Sequence, residues 1–409
     1  MTSINLRQGL SVLQPGKDLM IGLMPPAALA VEDAPDYLRH VLSAFSRPVP
    51  EAEALATVTA HSGLDVEEAG RLLSELRCAG VLTTHWVDRE ERYSRHRLYF
   101  GVAGFEGDPM AVLRNSTVGL IGTGGIGSNV AMMLAAAGVG RLVVADADVV
   151  ETTNLTRQFL YTEGDVGTPK VEALARRVAE RNTEVRVDVV NDVFDGPDFA
   201  VRHFAECDLV ILSADTPQDV HRWLNEASVR AGVPYTCAGY LDTMGIVGPL
   251  VVPGRTACLE CHFADTGLAS FNGGDLETTD FTDYNQAYQA PSYGPLNAMV
   301  SAAAVNDTLR FLLGLPARRP GHQAAPRLHR VRRPDGGVRA GRRLRLVRHG
   351  RARGSPERRG PAGHCSARVA DRSRRAEVVA GTGDGREPRL TAPPAGSLGS
   401  AVPGLSGLR

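Results

Sequence analysis

Two basic residues stand out in the segment ETTNLTRQFLYTEGDVGTPK, residues 151–170. Arg157 and Lys170 lie thirteen positions apart in it, just downstream of an apolar run that ends in Asp146. Lysine is rare in this chain, since Lys17 and Lys170 are its two lysines among 45 basic residues. Fixed cations of this kind can stabilise charge that develops on a phosphate chain. The segment therefore suggests phosphate chemistry; the structural alternatives are a surface ion pair for Arg157 and a solvated helix start for Lys170.

A glycine-rich turn precedes this segment. The sequence GLIGTGGIGSN places Gly122, Gly124, Gly125 and Gly127 between a predicted strand and a predicted helix. Glycines let a backbone approach phosphates closely, and the amides at the helix start attract anions. Asp146 ends the next predicted strand, 19 residues after Gly127, where a carboxylate can bind ribose hydroxyls. Together these features predict a nucleotide site, although a glycine turn alone also serves packing.

Asp215 narrows the choice of nucleotide. It ends the run VILSAD, where a carboxylate at a strand's carboxyl edge is a hard oxygen ligand suited to Mg²⁺. Two cations, a ribose carboxylate and a metal carboxylate fit a triphosphate that undergoes substitution better than hydride transfer. The chain has no Gly-Lys-Ser/Thr phosphate loop, which disfavours transfer of the γ-phosphate.

Alternating strands and helices from residue 117 to 254 should position these groups. The pattern predicts a Rossmann-like α/β fold, with a doubly wound, mostly parallel sheet covered by helices on both faces. The predicted strands are TVGLIG (117–122), RLVVAD (141–146), VRVDVV (185–190), DLVILSAD (208–215) and PYTCAG (234–239). The predicted helices cover residues 127–138, 169–182, 218–232 and 290–315.

Residues 1–110 are predicted to form a small winged-helix-like α/β domain. Residues 32–45 and 65–82 have helical periodicity, with Asp65 as an N-cap, and VLTTH (81–85) with RHRLYFGV (95–102) would form a β-wing. The domain carries 10 basic and 15 acidic residues, which argues against DNA binding. A packing domain and a domain that docks a peptide along a strand edge both remain open.

The charge divides the chain at residue 316. Residues 1–316 contain 23 basic and 40 acidic residues, whereas residues 317–409 contain 22 arginines and 6 acidic residues. For this Arg/Gly/Pro-rich tail three interpretations stay open: disorder, a basic nucleic-acid tail, or a shifted reading frame in GC-rich coding DNA. The abrupt, lysine-free change favours the last.

Several motifs together resemble one family. GTGGIGS, DAD, NLTRQ, DVGTPK and the strand before Asp215 resemble, in order and spacing, the ThiF/MoeB/HesA branch of the ubiquitin-activating superfamily. The resemblance covers about residues 112–315 and implies an adenylation domain of residues 111–316. It implies that Asp215 organises Mg²⁺ and that Asp146 holds ribose. The ATP-binding residues that it implies are Gly122, Gly124, Gly125, Gly127, Asp146, Asp148, Asn154, Arg157, Gln158 and Lys170, of which Arg157 and Lys170, with Asp215, would be catalytic.

Within that superfamily the segments AGYLDTMGIVGPLVVPGRTACLECH and QAPSYGPLNAMVSAAAVNDTLRFL look most like microcin C-type peptide adenylyltransferases, which also carry a small N-terminal peptide clamp. The implied activity is ATP-dependent adenylation of the C-terminal carboxylate of a ribosomal peptide or small carrier protein, in peptide natural-product biosynthesis. Two alternatives are a catalytically silent peptide-binding module for a partner cyclodehydratase and a sulfur-carrier-protein adenylyltransferase. A tRNA-modifying dehydratase needs a basic surface to bind RNA. Residues 1–316 are strongly acidic, which argues against this function.

The cysteines give information about metal binding and about the cellular compartment of the protein. Cys258 and Cys261 match the first half of a Cys₄ zinc site, and the family's second half is missing apart from His364 and Cys365 in the tail, so we expect an incomplete site. Cys237 lies in an apolar strand and is interpreted as core. Six scattered cysteines and no secretory or membrane-spanning segment indicate a cytoplasmic protein. The small residues of 295–314 predict a homodimer surface.

Overall fold

The computed structural model describes residues 2–23, 28–217, 219–261 and 290–316, together with the backbone of Val347–Arg348. Its N-terminal part consists of short strands and three helices. The elements are β1 (Ser3–Leu6), β2 (Val12–Leu13), β3 (Leu19–Ile21), β4 (Leu29–Val31), α1 (Asp36–Ala44), β5 (Val49–Pro50), α2 (Ala54–Ser62), α3 (Val66–Cys78) and β6 (Leu82–Thr83). Asp65 caps α3 as predicted, because its Oδ1 accepts a hydrogen bond of 2.8 Å from the backbone N–H of Glu68.

Two small sheets lie in this part. The strand orders are β5-β1-β6 and β13-β4-β3-β2, where β13 is Val347–Arg348 and pairs antiparallel with β4. Apolar residues between Ile4 and Leu82 form one hydrophobic cluster. Of the tail, residues 317–409, only β13 is described, so its predicted lack of order and the reading-frame interpretation lie outside the described residues.

The predicted second strand of the β-wing is wrong. RHRLYFGV lies in a helix, α4 (Ser94–Val102), which is followed by α5 (Pro109–Asn115). The sequence alone did not show where Phe100 and Tyr93 would be buried: both join the hydrophobic cluster of the central sheet. Residues 93–113 thus share a core with the central sheet, and tertiary packing overrides the local strand-like pattern.

The central sheet confirms the predicted doubly wound α/β fold. Its elements are β7 (Thr117–Ile121), α6 (Gly127–Ala137), β8 (Arg141–Ala145), α7 (Lys170–Arg181), β9 (Arg186–Val190), α8 (Pro197–Phe204), β10 (Leu209–Leu212), α9 (Val220–Ala231), β11 (Tyr235–Leu241), β12 (Met244–Val251) and α10 (Gly294–Leu312). The strand order is β12-β11-β10-β7-β8-β9, parallel except for β12. The sequence prediction missed α8 and β12.

Both faces of this sheet are covered. In β10, Leu209 and Ile211 belong to one hydrophobic cluster, whereas Val210 and Leu212 belong to another. Alternate residues of a strand point to opposite faces, so the two clusters lie on opposite sides of the sheet. None of the helices that the structure describes is both long and apolar enough to cross a bilayer.

The strand order creates a switch point. β7 comes first in the sheet's chain order and lies between β8 and β10, so the chain winds outward in both directions from there. In sheets of this kind ligands bind beyond the carboxyl ends of the strands at the point where the winding reverses. The loops after β7, β8 and β10 meet at that edge, and they contain Gly122, Asp146 and Asp215.

Candidate nucleotide site at the switch point

The glycine turn after β7 requires glycine at two positions for steric reasons. Gly122 has φ +88°, and a Cβ there would lie 2.7 Å from the backbone nitrogen of Ala214. A Cβ at Gly127 would lie 1.9 Å from the carbonyl oxygen of Gly122. The chain therefore turns sharply from β7 into α6, and the amides at the start of α6 lie at the carboxyl edge of the sheet, where an anion can bind.

Asp146 is tied to this turn. Its Oδ2 accepts hydrogen bonds from the backbone N–H of Thr123 at 2.7 Å and from the Thr123 hydroxyl at 2.8 Å. Its Oδ1 accepts one from the backbone N–H of Asp148 at 2.9 Å. Asp146 is half-buried. The carboxylate has a fixed orientation and keeps acceptor capacity for the hydroxyl groups of a ribose.

Lys170 is a buried cation at the start of α7. Its side chain is 8% exposed, and its Nζ lies 2.6 Å from Oδ2 of Asp148, whose side chain is 71% exposed. The Lys170 backbone N–H also donates to the carbonyl oxygen of Asp148 at 2.8 Å. The alternative of a solvated helix residue is wrong for Lys170, because the ammonium is withdrawn from water and points to the loop after β8.

Asn154, Arg157 and Gln158 lie together on a short 3-10 helix, Thr152–Thr156, and the residues after it. The Asn154 Oδ1 accepts from the Glu151 N–H at 3.1 Å, so Asn154 shapes the loop. The Arg157 Nη1 donates to the Thr153 carbonyl at 2.8 Å. Across the part of the chain that the structure describes, no carboxylate forms an ion pair with Arg157, which removes the ion-pair alternative there. Gln158 is buried, and its Oε1 has no hydrogen-bond partner among the described residues.

Asp215 is exposed beyond the end of β10. The Thr216 hydroxyl donates to its Oδ1 at a long 3.4 Å. An exposed carboxylate beside the glycine turn suits a magnesium ion, because it is a hard oxygen donor with room for water ligands.

Residues missed by the sequence prediction complete the site. On α10, the Ser301 hydroxyl lies 2.7 Å from the carbonyl oxygen of Asn297 and 3.0 Å from that of Ile126, and Asn297, fully buried, fills the space above Gly125. The available signal was a pair of polar residues four positions apart in the apolar first half of the helix. A second missed residue is Tyr161, whose hydroxyl donates to the carbonyl oxygen of Thr123 at 2.9 Å.

The cysteine pair is compatible with half of a zinc site. The sulfur atoms of Cys258 and Cys261 lie 3.6 Å apart, and two thiolates of a tetrahedral zinc site are separated by about 3.8 Å, since zinc–sulfur bonds are about 2.3 Å. Within residues 2–23, 28–217, 219–261 and 290–316 no group of three or more His, Cys, Asp and Glu side chains gathers around a point. His364 and Cys365 lie outside the described residues.

Cys237 is a core residue, as predicted. It is buried in β11, and burial raises the pKa of its thiol to about 12. The thiol therefore stays protonated near neutral pH and is a poor nucleophile.

Comparison with known proteins now identifies the family. The model of the ThiF family matches residues 93–348. The chain belongs to the ThiF family. This confirms the resemblance drawn from the sequence motifs.

Two curated relatives match about two fifths of the chain. The sulfur carrier protein ThiS adenylyltransferase of Bacillus subtilis (strain 168) is 36% identical over 172 residues, which are 42% of this chain and 49% of that protein. The molybdopterin-synthase adenylyltransferase of Escherichia coli (strain K12) is 32% identical over 170 residues, 42% of this chain and 66% of that protein. The chain thus spans about half to two thirds of these relatives.

Solved structures of MccB match over a longer stretch. E. coli MccB with AMPCPP and MccA has a TM-score of 0.64 and 26% identity, covering 77% of this chain and 90% of that one. The microcin C7 biosynthetic enzyme MccB in complex with N-formylated MccA has a TM-score of 0.66 and 27% identity over 77% of this chain and 90% of that one. E. coli MccB has also been solved with ATP. The architecture of this chain is therefore similar to that of MccB.

Proposed function

We propose that this protein is an ATP-dependent adenylyltransferase that activates the C-terminal carboxylate of a peptide or small carrier protein. The observation that carries the proposal is the convergence of the glycine turn, Asp146 and the buried Lys170 at the switch point of a ThiF-family sheet. The curated relatives of this part of the chain are named adenylyltransferases, which supports the reaction class.

The reaction assigns a role to each group. Backbone amides of the turn and the start of α6 bind the phosphate chain, and Asp146 accepts hydrogen bonds from the ribose. An oxygen of the substrate carboxylate attacks the α-phosphorus, the bond between the α-phosphorus and its bridging oxygen breaks, and pyrophosphate leaves. Arg157 and Lys170 stabilise the negative charge that develops in this transition state.

Asp215 is the proposed ligand of Mg²⁺. A magnesium ion bound there would neutralise part of the phosphate charge. Gln158 and Asp148 complete the surroundings, the former as a buried amide beside the turn and the latter as the partner of Lys170. Asn154 acts indirectly, because its side chain caps the loop that holds Arg157.

A peptide of natural-product biosynthesis is the proposed substrate. The likeness to MccB covers 77% of the chain, more than residues 111–409 alone could supply, so it extends into the N-terminal domain. The curated carrier-protein relatives match only 42% of the chain. We therefore assign residues 1–110 to a peptide clamp, residues 111–316 to the adenylation domain and residues 317–409 to a tail without a catalytic group.

Two other functions are less well supported. A silent peptide-binding module would be expected to lose its phosphate contacts, yet Arg157, Lys170 and Asp215 are all retained. Activation of a sulfur carrier protein begins with the same adenylation of a C-terminal carboxylate. Only the identity of the substrate distinguishes that function from peptide adenylation. The buried thiol of Cys237 does not favour a covalent thioester.

ATP–pyrophosphate exchange tests the proposal. Purified protein with ATP, Mg²⁺ and labelled pyrophosphate is mixed with a candidate peptide encoded beside its gene, or with a ThiS-type carrier protein. We expect label to enter ATP only when a substrate with a free C-terminal carboxylate is present. The same peptide with a C-terminal amide is the matched control. Exchange with neither substrate would favour the silent module, and exchange with the carrier protein alone would assign the second alternative.

A further inference from the structure

A chain of hydrogen bonds connects the glycine turn, Asp146, Asp148 and Lys170. Thr123 donates to Asp146 through its N–H and its hydroxyl, and Asp148 donates its N–H to Asp146 at 2.9 Å. Asp148 in turn receives the Lys170 ammonium at 2.6 Å and the Lys170 N–H at 2.8 Å. The Tyr161 hydroxyl lies between the two ends of this chain, Thr123 and Lys170.

The Tyr161 hydroxyl is placed between two backbone carbonyls. It lies 2.9 Å from the carbonyl oxygen of Thr123 and 3.4 Å from that of Lys170. The single hydroxyl proton goes mainly to the nearer acceptor. The side chain is 4% exposed, and burial raises the pKa of Tyr161 above its usual value, so the hydroxyl is a donor near neutral pH.

This hydroxyl connects two segments that are far apart in the chain. Thr123 belongs to the glycine turn after β7, and Lys170 begins α7, on the far side of the loop that contains Arg157. Thr123 is fully buried, so its carbonyl would lack the Tyr161 donor if the hydroxyl were removed. An unpaired buried carbonyl is costly, and the turn would be expected to shift towards another donor.

We propose that Tyr161 is a positioning residue: its hydroxyl holds the Gly122–Gly127 turn against the start of α7, so that the amides of the turn and the Lys170 ammonium act on one phosphate chain. This inference rests on the proposed adenylation. Tyr161 touches no reacting atom and acts through Thr123 and Lys170. Misplacement of a catalytic group by about 1 Å is enough to reduce a rate by about a hundredfold.

The variant Tyr161→Phe removes only the hydroxyl and leaves the aromatic side chain in the core. We expect its turnover in ATP–pyrophosphate exchange to fall at least tenfold, with the KM for ATP changing less than threefold. Tyr235→Phe is the matched control, because Tyr235 is also buried and its hydroxyl donates to Asn225 at 2.9 Å. Neither of these residues belongs to the hydrogen-bonded group around Lys170. This control is expected to lose comparable thermal stability and to keep wild-type turnover.

A double-mutant cycle separates positioning from general destabilisation. Lys170→Met keeps the apolar stem and removes the charge. If Tyr161 acts through Lys170, Tyr161→Phe lowers exchange by less than twofold in the Lys170→Met background, because residues acting as a unit are not additive. Equal losses in both backgrounds, or wild-type turnover in Tyr161→Phe, would overturn the proposal.

A measurement that does not depend on activity tests the positioning role of Tyr161 separately from the proposed adenylation. Amide hydrogen exchange of residues 122–127 should become at least tenfold faster in Tyr161→Phe and stay unchanged in Tyr235→Phe. A wild-type protein that catalyses no exchange of pyrophosphate would refute the adenylation. Unchanged protection of the turn in Tyr161→Phe would refute the positioning role whatever the activity.

Discussion

At the residue scale, the two cations of the candidate site differ in how they are held. Lys170 is buried and paired with an exposed carboxylate, whereas Arg157 is half-buried and held through the Thr153 carbonyl. An ammonium is a compact point charge, and a guanidinium is a wide planar fork. The narrow space between the loop after β8 and α7 explains why lysine occurs at this position in a chain that otherwise uses arginine.

The first prediction concerns Arg157 and Asp215. Each of Arg157→Ala and Asp215→Ala should lower kcat/KM for substrate-dependent ATP–pyrophosphate exchange at least a hundredfold, because one charge-stabilising contact contributes about 3–4 kcal/mol in the transition state. Neither side chain is buried, so both variants should keep the wild-type circular dichroism spectrum. Arg230→Ala is the control, since Arg230 forms exposed ion pairs with Asp198 and Glu226. Near-normal exchange in both variants would remove these residues from the site.

The second prediction is a pH dependence of stability at Asp165. Burial alone would raise the pKa of this carboxyl, but hydrogen bonds from Arg177, Thr162 and Arg176 outweigh burial and hold the pKa well below its usual range. A depressed pKa in the folded state means that Asp165 stabilises the fold above its unfolded pKa of about 3.9 and loses this contribution as pH falls below that value.

Asp165→Asn tests this dependence. At pH 7 the variant should be about 2 kcal/mol less stable to urea, because hydrogen bonds to a charged group are weakened. The difference from wild type should shrink between pH 4 and pH 2, because there the unfolded wild-type chain takes up a proton at Asp165 while the folded state keeps the carboxyl ionised. A difference that stays constant over this range would contradict the assignment of the pKa shift to Asp165.

The sequence was informative about some site residues and silent about others, for a physical reason. Asp146, Lys170 and Asp215 could be predicted because each directly borders a strand or helix with a clear pattern. Tyr161, Asn297 and Ser301 could not, because their role depends on contacts across the fold: the Ser301 hydroxyl lies 3.0 Å from the carbonyl oxygen of Ile126, which is 175 residues away. Periodicity carries no information about which distant carbonyl a buried hydroxyl will meet.

At the element scale, the strands of the central sheet were predictable and the connections were less so. Within DLVILSAD the strand itself, Leu209–Leu212, is apolar at every position because it is buried on both faces. β12, MGIVGPLV, was missed because glycine and proline interrupt it and seven of its eight residues are exposed or only partly buried. α4 was mistaken for a strand because the burial of Phe100 depends on the neighbouring domain.

The third prediction compares two glycines of the same turn. Gly127→Ala should destabilise the fold by about 3 kcal/mol or more, because the added methyl would meet the Gly122 carbonyl at 1.9 Å and the backbone would have to move. At Gly124 the nearest atom to an added Cβ is the Gln158 Nε2 at 3.9 Å, an ordinary contact.

Gly124→Ala should therefore keep the wild-type melting temperature and weaken ATP binding at least tenfold, since the methyl occupies space through which the phosphates approach the backbone. Thermal denaturation and calorimetric titration with ATP measure the two effects separately. Unchanged ATP affinity in Gly124→Ala would place the phosphates elsewhere.

At the scale of the whole molecule, α10 links the nucleotide turn to the edge of the sheet. Its buried side contacts the turn through Asn297 and Ser301. On the same helix, Val300 lies against Gly245 at the start of β12, where an added Cβ would come within 2.5 Å of its side chain. Some of the small residues that suggested a homodimer surface, Ser301 and Ala304 among them, are buried inside the chain itself. A dimer surface must therefore use the residues that α10 and β12 leave exposed.

The last prediction is that the protein forms a homodimer through this exposed surface. Met299 of α10 is 70% exposed, and Met244 and Ile246 of β12 are 65% and 45% exposed. β12 is also an edge of the described sheet, with backbone groups open to pairing. Apolar side chains beside an open strand edge favour association, and a two-fold dimer would cover both copies with one self-complementary contact.

Light scattering after size exclusion at micromolar concentration should give twice the chain mass for the wild type. Met299→Asp should shift the protein to a monomer, since each two-fold contact would then contain two unpaired carboxylates in an apolar environment. Val66→Asp is the control, because Val66 is 64% exposed on α3, in the N-terminal part of the chain, and should not affect association. A monodisperse wild-type monomer, or a Met299→Asp variant that remains a dimer as strong as the wild type, would show that this surface does not mediate assembly.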